Sequence, residues 1–364
     1  MGMNTMRRSA ALAAALMVLV AACGDDDAGG DPTAIDCVPG QVDGNLNFYN
    51  WSEYMDPDLI TEFETQYGVD VIESYYESNE AMLSQIQAGV AYDLIVPSDY
   101  MVKIMIDEGL AFKLDKEALT NYGNLAEEFR TQPYDPTGDY SVAYQYGTTG
   151  LGVNLELVGD AFVPSWALVF DPELTAGFAG GVSLLNDPRE TMGAALEYLG
   201  YSLNDITLEH LEEAAQVIKD ARPGIATFDS DQYDENLANG EVAVAHGYSG
   251  NMIVAIGETE NPDNFVYVLP EEGATLWIDN MVIPTVSTAP CTAHTFIDFI
   301  LDAENGAQLT NWNYYGTPNE ASLPFVDQEV VDFYAATLEA DTEVIEDTGD
   351  YEINFTDSLA EAKG

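Results

Sequence analysis

The chain has 364 residues, 47% of them hydrophobic, with 21 Tyr, 14 Phe and 4 Trp; that is enough apolar surface to exclude whole-chain disorder and too much length for one small core. Ten Lys and Arg stand against 64 Asp and Glu, a formal net charge of -54, which excludes a nucleic-acid partner because phosphate-backbone binding depends on cationic side chains. Most of this charge reads as a solvated acidic surface suited to salty surroundings, where screening acts over about 3 Å at 1 M salt; the composition also permits a cationic ligand.

The first 22 residues read as a signal peptide: Arg7 and Arg8, an apolar run from Ala10 to Val20, then Val20-Ala21-Ala22-Cys23. The apolar run is shorter than the roughly 20 residues of a spanning helix. The small residues before the cysteine resemble a lipobox, so Cys23 is the expected lipidation site. The adjacent arginines leave the general secretory and twin-arginine routes both open. Residues 23–44, rich in Gly and Asp at their start, are expected to form a flexible tether. Cys37 and Cys291 remain, and an oxidising compartment allows them to pair or to stay as two thiols.

A strand is expected from Leu46 to Trp51, then a helix capped by Asp56, opened by Pro57 and stopped by Gly68. A strand over 69–76, a helix capped near Ser78-Asn79 and running to Gly89, a short buried strand at 94–97 and a helix over 98–108 follow. The alternation resumes with a strand over 181–185, helices over 189–199 and 207–220, and strands at 225–228, 242–245, 265–269 and 276–284. Helices near 293–302 and 328–339 complete the pattern. Strands alternating with helices at this interval predict α/β architecture with mainly parallel sheets.

Catalytic signatures are scarce. There is no phosphate-cradling loop, no GxGxxG after the first strand and no GxSxG, although Gly247-Tyr248-Ser249-Gly250 comes within one residue of the last. His210, His246 and His294 are dispersed, and each reads as a surface or core histidine. No cofactor and no metal are expected. What stands out is carboxylates beside aromatics at predicted strand ends, where open α/β sheets bind ligands: Trp51-Ser52-Glu53-Tyr54, Ser98-Asp99-Tyr100, Asp187-Pro188-Arg189-Glu190 and Trp277-Ile278-Asp279. Ring faces and desolvated carboxylates attract ammonium groups, so this arrangement suits an elongated cation. Arg189, wedged between Asp187 and Glu190, is expected to pair internally, which leaves little to clamp an anionic ligand.

The segments Phe48–Tyr54, Tyr75–Glu80, Tyr92–Ser98, Trp277–Asp279 and Tyr315–Asn319, in that order, resemble the spermidine/putrescine-binding proteins of ABC importers. The resemblance implies a two-lobed clamshell of the type II periplasmic-binding kind. Lobe 1 would combine 45–147 with 277–322, and lobe 2 would combine 148–276 with 323–364. It also implies a polyamine, spermidine or putrescine, lined by Trp51, Ser52, Glu53, Tyr54, Ser98 and Tyr100 on one wall. Asp187 and Glu190 match the acidic pair of the second lobe, Trp277 and Asp279 the central aromatic and acid, and Tyr315 a cleft tyrosine. Tyr248 stands where the family usually has tryptophan, and Glu352 aligns loosely with a glutamine of spermidine binders.

The expected partners are thus a polyamine, a membrane permease, the membrane through a lipid anchor alone, and no nucleic acid; a monomer outside the cytoplasm is expected. Two other readings compete. Tyr75, Tyr76, Tyr314 and Tyr315 suggest ferric iron through phenolate ligands, alongside other organic cations. Asp187 and Glu190, three apart at a helix start, suggest a secreted carboxylate-dependent hydrolase.

Overall fold

The computed structural model describes residues 36–337, 342–344, 358–360 and 362–363. The expected leader 1–22, the lipidation cysteine Cys23 and the site candidate Glu352 lie outside these. Among the described residues no helix is long and apolar enough to cross a membrane.

Local signals set most elements. Asp56 accepts a hydrogen bond from the Asp58 amide, Pro57 opens the helix Pro57–Tyr67, and Gly68 closes it in the left-handed conformation at φ 70°. Ser78 caps the helix Asn79–Gln87 through the Ala81 amide. Asp187 caps Pro188–Tyr198 through the amides of Arg189 and Glu190. The strands are β1 (Leu46–Asn50), β2 (Val71–Tyr75), β3 (Leu94–Ile95), β4 (Ser141–Asn154), β5 (Val182–Leu184), β6 (Ile225–Phe228), β7 (Val244–Tyr248), β8 (Phe265–Val268), β9 (Thr275–Val282) and β10 (Glu343–Val344). They join in the order β2-β1-β3-β9-β4-β7-β5-β6, with β8 added to β4 and β10 to β9.

Each half of this sheet is parallel, and each has a core on both faces. Along β1 the side chains alternate. Leu46 and Phe48 pack with Phe63 and Phe296 in one core, while Tyr49 packs with Met82, Ile86 and Met101 in another. In the second half, Val182, Leu184, Met192, Leu196 and Ile218 form the main core, and Leu185, Tyr233, Leu237 and Met252 a smaller one. The halves meet through two long antiparallel strands. β4 pairs with β9 from Ser141↔Val282 to Thr149↔Thr275, and its far end turns to β7 and β8. Two extended strands thus form the waist between the cores.

β4 was not legible in the sequence, and its glycines explain why. A Cβ on Gly147 would lie 2.6 Å from the Trp277 ring, one on Gly150 2.6 Å from the Val268 carbonyl, and one on Gly152 2.4 Å from Leu237 and Met252. Packing at the waist demands residues that weaken a strand pattern. The helices Tyr233–Ala238, Ser249–Gly257 and Ala303–Asn313 likewise exceed the expectation from periodicity.

Part of the expected tether is fastened. Cys37 and Cys291 form a disulfide with Cα atoms 5.6 Å apart. The Asp43 carboxylate accepts from the Cys291 amide (3.2 Å) and the Thr292 amide (3.0 Å) at the start of the helix Pro290–Ile300, and Thr295 Oγ1 donates to the Gln41 carbonyl (2.7 Å). Within 23–44, the residues from Cys37 onward therefore belong to the first core's surface, because free helix amides attract the Asp43 charge. The bridge spans 254 residues of sequence. Replacing both cysteines by serine is expected to lower unfolding stability by about 2–4 kcal/mol, read from denaturant midpoints; an unchanged midpoint would show that the bridge adds nothing.

Candidate functional site

Between the two cores lies a cleft with about 750 Å³ of space including its mouth. β1 delivers its first wall. Trp51 Nε1 donates to the Val96 carbonyl at 2.9 Å, and its ring lies 4.5 Å from Tyr76, whose hydroxyl donates to the same carbonyl at 2.6 Å. Two residues on, Glu53 adopts φ 52°, and Tyr314 adopts φ 59° immediately before Tyr315. Among the described residues these are the non-glycine positions in the left-handed region, and both adjoin buried cleft tyrosines; such strain concentrates where side-chain direction matters. Tyr54 lies edge-on to Tyr315 at 5.0 Å and to Trp277 at 6.3 Å. Tyr248, at the end of β7, faces Trp277 at 6.0 Å and Trp51 at 6.5 Å.

The acids lie among these rings. Asp279 on β9 is 5% exposed, its Oδ1 has no hydrogen-bond partner, and burial pushes its pKa up to about 7 against the lowering influence of Ser98 and Tyr54. Glu190 is buried with Oε2 unpartnered; burial first, then the neighbouring Asp187, hold it well above the ordinary carboxylate range. Asp187 is raised by burial and by Glu80, although its Oδ1 accepts from two helix amides. Behind the site, Asp99 accepts from the Tyr100 amide (2.7 Å) and the Ile278 amide (3.2 Å), and burial pushes it up to about 8. Six carboxylates line the cleft, from Glu53, Glu77, Asp187, Glu190, Asp231 and Asp279, with Arg189 as the guanidinium among them. Buried carboxylates with open lone pairs are stable as anions only when a cation joins them.

Trp51, Ser52, Glu53, Tyr54, Ser98, Tyr100, Asp187, Glu190, Tyr248, Trp277, Asp279 and Tyr315 all line this one cleft. Glu53 is exposed at the rim, where its Oε2 accepts from Asn251 Nδ2 at 3.2 Å; Tyr315 donates to Asn251 Oδ1 at 2.5 Å. The expected internal pairing of Arg189 is corrected. Its Nε donates to Glu80 Oε1 at 2.8 Å, and its guanidinium lies 3.9 Å from the centre of the Tyr100 ring, because the Asp187 carboxylate is already engaged with the helix amides. Tyr76, Glu77, Asn79, Ser230, Asp231, Tyr233 and Asn251 also line the cleft and were missed. Tyr76 and Asn79 lie inside a recognised segment; Tyr233 and Asn251 sit on helices with no signal in the sequence.

The phenol constellation does not assemble, whereas Asp187 and Glu190 lie together in the cleft. Tyr75 is exposed, Tyr76 and Tyr315 donate to separate acceptors, and Tyr314 donates to Glu329, so the four phenols share no centre. His246 is buried against Trp166, with burial pushing its pKa down to about 3, and His210 meets Asp205 at 2.6 Å. Among the described residues no group of His, Cys, Asp and Glu is arranged to hold a metal.

Gly147 makes a sharp test of the geometry. Its Cα faces the Trp277 ring so closely that Gly147→Ala must displace the indole. Ligand affinity is expected to fall roughly tenfold, with a loss of about 1–3 kcal/mol in stability from overpacking against the buried Trp277 and Tyr315 rings, measured by calorimetric titration and melting; the affinity change follows from a shifted ring losing its ammonium contact. Equal affinity would place the indole outside the binding surface.

Two cores joined by a two-strand waist, with a cleft between them, define a two-lobed α/β solute-binding protein. The model of the bacterial extracellular solute-binding proteins matches residues 58–339. A putrescine/cadaverine-binding protein of Pseudomonas aeruginosa is 38% identical over 304 residues, covering 82% of this chain and 86% of its own. A protein assigned as a spermidine/putrescine ABC transporter in Listeria monocytogenes superposes with a TM-score of 0.82 at 34% identity, over 88% of this chain and 99% of its own. The TpPotD lipoprotein of Treponema pallidum gives 0.73 at 29% identity, over 87% and 99%. The chain belongs to the spermidine/putrescine-binding family of the bacterial extracellular solute-binding proteins. It is a binding component that works outside the cytoplasm, and the family is non-enzymatic.

Proposed function

We propose that the protein captures a short aliphatic polyamine, putrescine or spermidine, between its lobes and presents it to a membrane permease of an ABC importer. Residues 45–147 with 277–322 move as one body and 148–276 with the described residues from 323 onward as the other, hinged at the β4/β9 waist. The observation that carries this reading is the pairing of unpartnered buried carboxylates with ring faces: Asp279 and Glu190 offer open oxygens within a shell of Trp51, Tyr54, Tyr248, Trp277 and Tyr315. Methylenes of the ligand pack on the rings while each ammonium group neutralises an acid. Asp279 on one lobe and the Asp187/Glu190 pair on the other hold the amine groups, Glu190 through its open oxygen; Ser52 and Ser98 offer hydroxyls, and Glu53 closes the rim. The names of the similar proteins, which bind putrescine, cadaverine or spermidine, support the same class. A lipid on Cys23 anchors the mature chain to the membrane, a reading supported by the sequence Val20-Ala21-Ala22-Cys23 and by the lipoprotein relative.

Isothermal titration with putrescine, cadaverine, spermidine and spermine tests the proposal. Saturable one-to-one binding of at least one of them, with no change in the amine after long incubation, is the expected result. Absence of heat with all four, or turnover of the ligand, would overturn it.

A further inference from the structure

The contact between Glu80 and Arg189 crosses the cleft. Glu80 opens the helix Asn79–Gln87, whose Met82, Leu83 and Ile86 belong to a core of the first half; Arg189 opens the helix Pro188–Tyr198, whose Met192 and Leu196 belong to the main core of the second. The Arg189 side chain is 1% exposed and that of Glu80 18%. The guanidinium is also stacked on Tyr100, whose hydroxyl donates to the same Glu80 oxygen at 3.3 Å. A second contact crosses beside it, from Asn186 Nδ2 to Glu77 Oε2 at 3.2 Å. An ion pair whose partners sit on opposite lobes forms only when the lobes meet.

Closure brings acid against acid, with Glu53, Glu77 and Glu80 on one side and Asp187, Glu190 and Asp231 on the other, and Lys363, bonded to Asn186, is a further cation beside Glu77 and Asp187. Arg189 supplies a permanent positive charge at that junction. We infer that Glu80, Arg189 and Tyr100 form an interlobe clamp that sets the lifetime of the closed form around whichever amine is bound, without choosing among amines. This rests on the two-lobed reading above and deepens it. Glu80 and Tyr100 act as positioning residues: they hold the guanidinium, and the guanidinium holds the lobes. Part of the closing energy is thereby built into the chain, and the ligand need supply only the rest.

The test compares wild type, Glu80→Gln, Arg189→Gln and the double variant with putrescine, cadaverine and spermidine, by titration and stopped-flow dissociation. Each single change is expected to raise Kd roughly tenfold by the same factor for every amine, almost wholly through faster dissociation, and the double variant to be no worse than the weaker single. A changed ranking of the amines would make Arg189 a direct ligand contact and overturn the clamp, as would additive losses or unchanged rates. Dyes on the exposed positions of Asp58→Cys and Glu212→Cys, one per lobe, provide a readout without ligand. Glu80→Gln is expected to lengthen the interlobe distance, and an unaltered distance distribution would also overturn the clamp. If wild type bound none of the amines, the functional reading would fall, while the distance measurement would still decide the clamp.

Discussion

Asp279→Asn is expected to weaken binding of putrescine or spermidine about a hundredfold or more, about 3 kcal/mol, measured by calorimetric titration. The substitution preserves size and leaves an oxygen near Ser98 and Tyr54, so the cleft keeps its shape. It removes the charge. An ammonium group that enters a site 5% exposed gives up its water, and at Asp279 the compensation comes from an anionic oxygen with no other partner. An amide replaces that attraction with one ordinary acceptor and two donors that face the cation. Glu53→Gln is the control. Glu53 lies exposed at the rim and already accepts from Asn251, so screening by water limits its loss to about threefold or less. Equal affinities for the Asp279 variant and wild type would remove this residue from the binding surface.

Acid is expected to close the empty protein. In the closed cleft burial holds Asp279 at about 7, whereas an open, solvated cleft would return it towards the ordinary carboxylate value of about 4. The closed form therefore binds more protons than the open form between these values, and closure becomes more favourable as pH falls through 7 towards 4. Above pH 7, closing without ligand works against the charge on this group, and Asp187 and Glu190, raised by burial in the same direction, add to that cost. A bound ammonium abolishes the cost by keeping the carboxylates ionised. Interlobe distance in ligand-free protein should shorten between pH 7.5 and 5, and the shift should be smaller in Asp279→Asn, the remainder coming from Asp187 and Glu190. Distances independent of pH would show that the carboxylates stay hydrated on closure.

Much of the cleft was legible because its residues come in compact segments. The strand that ends at Trp51 and the helix cap at Asp187 announce themselves through alternation and through Asp-Pro, and side chains at those junctions point into the interlobe space by the logic of open α/β sheets. The waist was not legible. β4 carries Gly147, Gly150 and Gly152 because the rings of Trp277 and Tyr267 and the side chain of Met252 occupy the volume that Cβ atoms would need. That requirement is tertiary and leaves only a broken strand pattern in the sequence. Arg189 went astray for a related reason. Its sequence neighbours are acids, but one of them is engaged in capping its own helix, and the carboxylate that its Nε meets, Glu80, lies 109 residues earlier.

The bridge from Cys37 to Cys291 bears on mechanics. A pull arriving along the polypeptide at Cys37 divides between that covalent link into the helix Pro290–Ile300 and the backbone that runs on to β1. The load is carried by the half that contains β1 to β3, and neither β4 nor β9 is stretched. The other half is left to swing unburdened, so a leash fixed at this end need not interfere with opening.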